Sequence, residues 1–179
     1  DAQNFTRLAQ YYFSRNLSGR YEFAPEAELI QSFEPADTLR LAASIAYDTV
    51  TNQPYGFKYK DVSGGTDHVY VLRLAEMYLI KAEALAYSGG DIKGIQNNIN
   101  AIRHRAGIDS TTVATIPELK LVIENECRHE FAFEGHRWLD LVRTKRAVAV
   151  LGINEKYTLF PIPLSEKQTN NLMEQNPGY

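Results

Sequence analysis

The side chains able to do chemistry are most crowded between Glu126 and Asp140. His129-Glu130 opens like a zinc-protease helix, which needs a second His four residues after the first. Position 133 is Phe, so that metal would lack a ligand. Glu126-x-x-His129 has the spacing of a di-iron helix, but such bundles use two copies. The residues three before His68, His104 and His136 are Gly65, Ala101 and Phe133. The sequence therefore predicts no metal site and no cofactor. It has no Gly-rich phosphate loop and no G-x-S-x-G elbow. Cys127 falls on a helix face that should be buried, where a thiol is inert. A carboxylate pair for glycoside hydrolysis depends on a tertiary distance, and no local pattern favours one. No catalytic residue is predicted.

The same charges read better as structure. Arg128 and Glu130, two apart on a helix, cannot face each other, whereas Glu130 and Glu134 share a face and Arg137 lies three beyond Glu134. The expectation is a buried ion-pair network tying a kinked helix to its neighbours, with Asp140 in the same cluster. Trp138 beside it is expected in the core.

The elements that must position this cluster are helical. From Tyr70 to Leu85 the chain is apolar on most of a helix circumference. Leu72, Ala75, Tyr78, Leu79, Ala82 and Leu85 mark its wide face, with Arg73 and Glu76 a candidate surface pair. After Ser88-Gly-Gly-Asp91, where Asp91 can N-cap, a second helix carries Ile92, Ile95, Ile99 and Ile102 inward and stops at Gly107. Small residues at Ala82, Gly94 and Ala101 give residues 70–107 the pattern of a tetratricopeptide hairpin. One such hairpin cannot bury its own faces, so other helices must cover it. A long helix from Pro117 to Glu134 should kink or end at Gly135, and a second amphipathic segment follows, so 117–146 reads as a kinked helix pair.

Residues 1–69 form an irregular, partly helical lead-in. Phe5, Leu8, Ala9, Tyr12 and Phe13 have helical spacing, and short helices are expected after Pro25 and from Leu39 to Ile45. Tyr55, Phe57 and Tyr59 alternate with Gly56, Lys58 and Lys60, the period of an extended segment. This strand-like loop is the accessible place for rings to meet a ligand, and its three aromatics are the candidate ligand-binding residues; the competing expectation is that they pin the loop to the helices. Residues 147–179 should be extended, with Pro161 and Pro163 holding their neighbours out of helix. Ser165 to Gln168 has capping-box spacing. The whole is expected to be one all-α domain, 1–179, with long irregular loops.

Composition narrows the classes further. A net charge of −3 argues against a nucleic-acid partner. The apolar run from Val69 to Leu85 is broken by Arg73, Glu76, Lys81 and Glu83, and falls short of the roughly 20 residues a membrane-spanning helix needs. One cysteine permits no internal disulfide. Eleven Tyr and eight Phe against a single Trp suit helix interfaces that end in water, and also sugar stacking.

Taken together, these residues resemble the C-terminal part of the SusD/RagB family of outer-membrane nutrient-binding lipoproteins. The matching runs are Val71 to Leu85, Asn100-Ala-Ile-Arg-His-Arg-Ala-Gly107 and Cys127-Arg-His-Glu-Phe-Ala-Phe-Glu-Gly-His-Arg-Trp-Leu-Asp-Leu141. Phe160-Pro-Ile-Pro163 and Gln175-Asn-Pro-Gly-Tyr179 complete them, and Glu28 to Phe33, Asp37-Thr-Leu-Arg40 and Lys58-Tyr-Lys60 fit more loosely. The resemblance implies a helical, tetratricopeptide-like fold and a non-catalytic protein that captures oligo- or polysaccharide. It also implies a TonB-dependent transporter as partner, on the extracellular face of an outer membrane. Membrane attachment in that family is through an N-terminal lipid upstream of anything in this sequence, so the chain is expected to be a C-terminal portion that binds glycan weakly or not at all on its own. Carried over as architectural are Arg73, Glu76, Tyr78, Glu83, Arg103, Arg128, Glu130, Glu134, Arg137, Trp138 and Asp140. Two other readings stand beside this one. The chain could be a helical protein-interaction module without its own ligand, or a hydrolase, for which the sequence offers no nucleophile paired with a base.

Overall fold

A computed structural model describes residues 6–179. It resolves into two compact units, Asp1–His136 and Arg137–Tyr179, and each is taken by itself. Phe5 lies outside the described residues.

The first unit is built on a helix hairpin, α4 (Leu74–Tyr87) and α5 (Ile92–Ala106), with α6 (Ile116–Glu130) packed against both. Asp91 caps α5, its carboxylate accepting from the Gly94 N–H at 2.8 Å. Gly107 ends α5 at φ 79°, a left-handed conformation that glycine adopts without a Cβ clash. Ala82 and Ala86 of α4 bring that helix close to Ile95 and Ile99 of α5 and to Leu119 and Ile123 of α6. Ile95, Ile99 and Leu119 are wholly buried, and each contributes about 1.5–3 kcal/mol of burial. Ala75, Leu79, Ile102 and Phe131 form an adjoining cluster.

Three short helices precede the hairpin: α1 (Leu8–Tyr12), α2 (Ala27–Ser32) and α3 (Thr38–Ser44). Between α3 and α4 lies an antiparallel ladder of β1 (Ile45–Tyr47) and β2 (Pro54–Gly56), with Ala46 opposite Tyr55. The turn joining them is held by the buried Asp48 carboxylate, which accepts from the Val50 and Thr51 N–H groups (2.8 and 3.0 Å) and from the Ser14 hydroxyl.

The hairpin's first helix departs from the sequence expectation. Residues 70–73 are not helical: α4 starts at Leu74, and Arg73 is its extended N-cap at φ −136°, ψ 146°. The β-branched Val69 and Val71 favour that extended entry. Leu72 and Tyr78, expected on the buried face, are exposed, and the buried stripe is Ala75, Leu79, Ala82 and Ala86. Ala101 is likewise exposed. The third helix also ends sooner than expected, at Glu130, and Phe133 (φ 66°) and Gly135 (φ 84°) carry the chain through a left-handed turn.

The second unit holds α7 (His136–Arg143) from its second residue on, α8 (Ala147–Leu151), a 3₁₀ turn (Glu155–Thr158) and α9 (Leu164–Thr169). The 147–179 segment is thus partly helical where extension was expected. Pro163 is the N-cap of α9 and Ser165 lies inside it, so no capping box forms. Two flanking motifs prove to be one structure. Pro161 and Pro163 have no N–H, leaving Ile162 as the donor between them, and Gln175 meets both its backbone groups: the Ile162 N–H donates to Oε1 (2.7 Å) and Nε2 donates to the Ile162 carbonyl (3.0 Å). Asn176 Nδ2 donates to the Phe160 carbonyl at 2.7 Å and the Tyr179 hydroxyl to the Leu159 carbonyl at 2.9 Å.

Candidate functional site

The three helices α3, α5 and α6 meet at a buried carboxylate. Glu126 of α6 has a side chain 3% exposed and receives two guanidinium groups, Arg40 Nη1 on Oε2 and Arg103 Nη1 on Oε1, both at 2.7 Å. Arg40 also donates through Nε to Asp37 at 2.8 and 2.9 Å and through Nη2 to the same carboxylate. Arg103 reaches outward to Glu34 at 2.6 and 3.0 Å and back to the Asp109 carbonyl at 2.6 Å. Guanidinium suits this role, since its planar donor fork serves several acceptors at once.

One turn further along α6 a second centre forms. Arg73 donates from Nη1 to Glu130 Oε1 (2.7 Å), from Nε to Glu134 Oε2 (2.9 Å) and from Nη2 to Glu134 Oε1 (2.8 Å). Lys58 Nζ donates to Glu134 Oε1 at 2.6 Å, and Arg105 closes on Glu130 Oε2. Lys58 and Arg73 also satisfy the Glu130 carbonyl, at 2.8 and 3.0 Å. That group is one of the orphan acceptors at the helix end, where the dipole favours cations. Arg40 lies 4.0 Å from Glu130 and joins the two centres.

The charges set each other's protonation. Burial would raise the Glu130 carboxyl, but hydrogen bonds from Arg105 and Arg73 outweigh it and hold its pKa below the ordinary value. Burial pulls Lys58 down, with Glu134 partly opposing. His129, stacked on Phe33 at 4.4 Å with Nε2 2.9 Å from the Ser32 hydroxyl, is pushed down to about 4, by burial first and then by the Arg40 charge.

Above the second centre opens a cleft of about 630 Å³, within the usual range for small-ligand sites. Its floor is Arg40, Arg73, Lys58, Glu130 and Glu134, and its rim includes Leu39, Lys60, Asp67, Tyr70 and Arg105. Tyr70 is 44% exposed, with its ring 5.8 Å from that of Tyr59 and 5.7 Å from the Arg73 guanidinium.

The three candidate ligand-binding aromatics are placed elsewhere. Tyr55 and Tyr59 are buried, at 6% and 2% exposure, and Phe57 is half-buried. Tyr55 packs on Phe13 at 4.7 Å, Phe57 lies 6.0 Å from Phe13, and Tyr59 stacks on Tyr12 at 6.4 Å. These rings pin the loop to α1, and Tyr70 is the one that reaches the cleft.

Of the motif residues, Arg73, Arg103, Glu130 and Glu134 sit in the network. Arg73 does not pair with Glu76 on a helix surface. Its extended position at the helix start sends it to Glu130 and Glu134 instead. Glu130 and Glu134 do meet, but through the left-handed turn and their shared guanidinium rather than along one helix face. Glu76, Glu83 and Arg128 are half-buried and Tyr78 is 38% exposed. In the second unit Arg137 and Trp138 are half-buried, Trp138 lies 6.3 Å from Phe160, and Asp140 accepts from Arg143 at 2.8 Å. Sequence reasoning missed Glu34, Asp37, Arg40, Lys58 and Arg105 as network members, and it weighed Glu126 only as a metal ligand. The signal lay in the loosely matching runs Asp37 to Arg40 and Lys58 to Lys60.

Residues 49–158 match the model of the SusD family. The starch-binding protein SusD of Bacteroides thetaiotaomicron is 36% identical over 143 residues, an alignment covering 71% of this chain and 25% of that protein. A solved SusD superfamily protein from Bacteroides vulgatus aligns over 95% of the chain and 47% of its own with a TM-score of 0.80 at 20% identity, a likeness of fold. A laminarin-binding SusD-like protein aligns over 86% of this chain and 38% of its own, with a TM-score of 0.68 at 32% identity. The chain therefore spans a quarter of the length of the curated relative and less than half of either solved one.

Proposed function

The chain belongs to the SusD family, and from that premise we propose that it is part of a non-catalytic, cell-surface glycan-binding protein of an outer-membrane uptake complex. Its partner in this reading is a TonB-dependent transporter, and its ligand an oligo- or polysaccharide. The observation that carries the reading is the family match over residues 49–158, together with relatives named for binding starch and laminarin.

The geometry supports binding over catalysis. A glycosidase's general acid needs a carboxyl whose pKa is raised so that it carries a proton to deliver. Here Glu130 is held below its ordinary value by the two arginines that occupy both its oxygens. Glu134 likewise has each oxygen engaged by Arg73 or Lys58. Such carboxylates hold a wall in place.

Affinity electrophoresis through gels cast with starch, laminarin or no polysaccharide tests the binding reading: the chain alone is expected to be retarded weakly or not at all, and the longer protein of which it is proposed to be part to be retarded in a glycan gel. Steady release of reducing ends from either polysaccharide would refute the non-catalytic part. Co-purification with a transporter from detergent-solubilised outer membranes tests the partnership.

A second reading has its own observation. Leu74, Met77, Tyr78 and Ile80 of α4 are all exposed, at 72%, 46%, 38% and 49%. An apolar helix surface of that kind suits a protein neighbour. Retention of a protein partner without any glycan retardation would favour it.

A further inference from the structure

The hydrogen-bonding capacity left over at the cleft is unequal in sign. On the acid side, Glu130 and Glu134 have all four oxygens engaged by Arg73, Arg105 and Lys58. Asp67 turns Oδ2 onto the backbone N–H groups of Lys60 and Asp61, at 2.8 and 2.7 Å, which among the described residues leaves Oδ1 as an acceptor at the rim. On the basic side more remains. The Lys60 side chain forms no ion pair among the described residues; its ammonium stands 4.4 Å over the Phe57 ring and lines the cleft. Arg105 has a side chain 51% exposed and commits Nη2 to Glu130, so among the described residues Nε and Nη1 are left for a ligand. His129 at the cleft is neutral at neutral pH.

Resting on the glycan-binding reading, we propose that this cleft takes an acidic sugar, a uronate ring. Its carboxylate is read by Lys60 and by the free donors of Arg105, and its apolar face lies against Tyr70. The chemistry of each part matches. A pyranose ring offers axial C–H groups to the half-exposed face of a tyrosine, and a planar carboxylate accepts from guanidinium and ammonium groups with charge-assisted bonds about twice as strong as neutral ones. Asp67 Oδ1 can accept from a ring hydroxyl and would repel a carboxylate placed beside it, which fixes the orientation. The buried network beneath keeps these groups in place before the sugar arrives, so little ordering is required on binding.

The test is an amide-detected NMR titration of the 179-residue chain with tetragalacturonate and, separately, with maltotetraose. Galacturonate is expected to shift the amides of Lys60, Tyr70 and Arg105 and to bind about tenfold more tightly than the neutral sugar. Lys60→Gln and Arg105→Gln should each cut galacturonate affinity about tenfold, and raising salt from about 0.05 to about 0.5 M should do the same, whereas salt should not change maltotetraose binding. Both side chains are exposed, and an unchanged amide spectrum elsewhere verifies that the variants fold. Equal affinity for the two sugars, or galacturonate binding that ignores both substitutions, overturns this inference and leaves the glycan reading standing. No shift with galacturonate overturns this inference, while the glycan reading is tested separately on the longer protein.

Discussion

Glu126→Gln is the sharpest perturbation of the network, because it removes a charge and keeps the side chain's shape. Glu126 receives Arg40 and Arg103 at 2.7 Å on opposite oxygens. The amide presents one acceptor and one donor, so one guanidinium keeps a neutral hydrogen bond and the other faces an N–H. Each charge-assisted bond is worth about 1.5–3 kcal/mol, and breaking a buried ion pair costs about 3–5 kcal/mol. Arg40 retains Asp37 and Arg103 retains Glu34, which places the expected loss at the low end, about 3 kcal/mol. Single domains have about 5–15 kcal/mol in all. With a urea m-value of about 2 kcal/mol/M, the midpoint should fall by about 1.5 M at unchanged m. The internal comparison is Glu34→Gln, which removes the other acid on the same arginine. Its side chain is 48% exposed against 3% for Glu126, so its loss should be below about 1 kcal/mol. Urea unfolding followed by circular dichroism measures both. Equal, small losses for the two variants would show that burial does not strengthen this network, and the architectural reading would fail.

Stability should decline as pH drops through the range from 6.5 to 4. His129 binds its proton at about 4 in the fold and near 6.5 when unfolded, so the unfolded chain binds more protons there, a difference of about 3 kcal/mol. Glu34 and Glu130, whose pKa values are lowered by their arginines, add stability that is present above the unfolded carboxyl pKa and lost as pH falls through their folded values. Melting temperatures across pH 3.5–7.5 check this, and His129→Gln should flatten the upper part of the slope. Arg73→Lys should cost about 2–4 kcal/mol in urea unfolding, because one ammonium cannot serve Glu130 and both oxygens of Glu134 together. Gly135→Ala should cost about 1 kcal/mol through its φ of 84°, since nothing lies within 4 Å of an added Cβ; a neutral result would show that the turn relaxes.

Periodicity revealed elements but not directions. The 3.6-residue pattern of Ile95, Ile99 and Ile102 pointed correctly inward, because α5 has one apolar and one polar side. In α4 the apolar residues run around the whole circumference, so the pattern could not select the buried stripe, and the structure chose the alanines, which permit the closest approach to α5 and α6. Alternation at Tyr55, Phe57 and Tyr59 indicated an extended chain, and the strand covers its first part, Pro54–Gly56. Whether their shared face meets solvent or α1 is decided by Phe13 and Tyr12, more than forty positions away.

The ion-pair partners illustrate the same limit from the other side. Arg40 meets Glu126 across 86 positions and Lys58 meets Glu134 across 76; no local spacing rule reaches that far, and the i, i+3 pairing of Arg73 with Glu76 gave way to a contact 57 residues distant. What a sequence can show is that a charge sits where it should not be left alone. Glu126 lies four residues from Val122 and three from Ile123, on the side of α6 that must be buried, and a carboxylate there requires cations from other elements. Arg103 follows Ile102 on α5 under the same compulsion. Demanding partners for each charge on an apolar helix face would have directed attention to the arginines at 40 and 73. The cleft over them then follows from the arrangement, because Lys60, Tyr70 and Arg105 surround a floor whose charges are already matched.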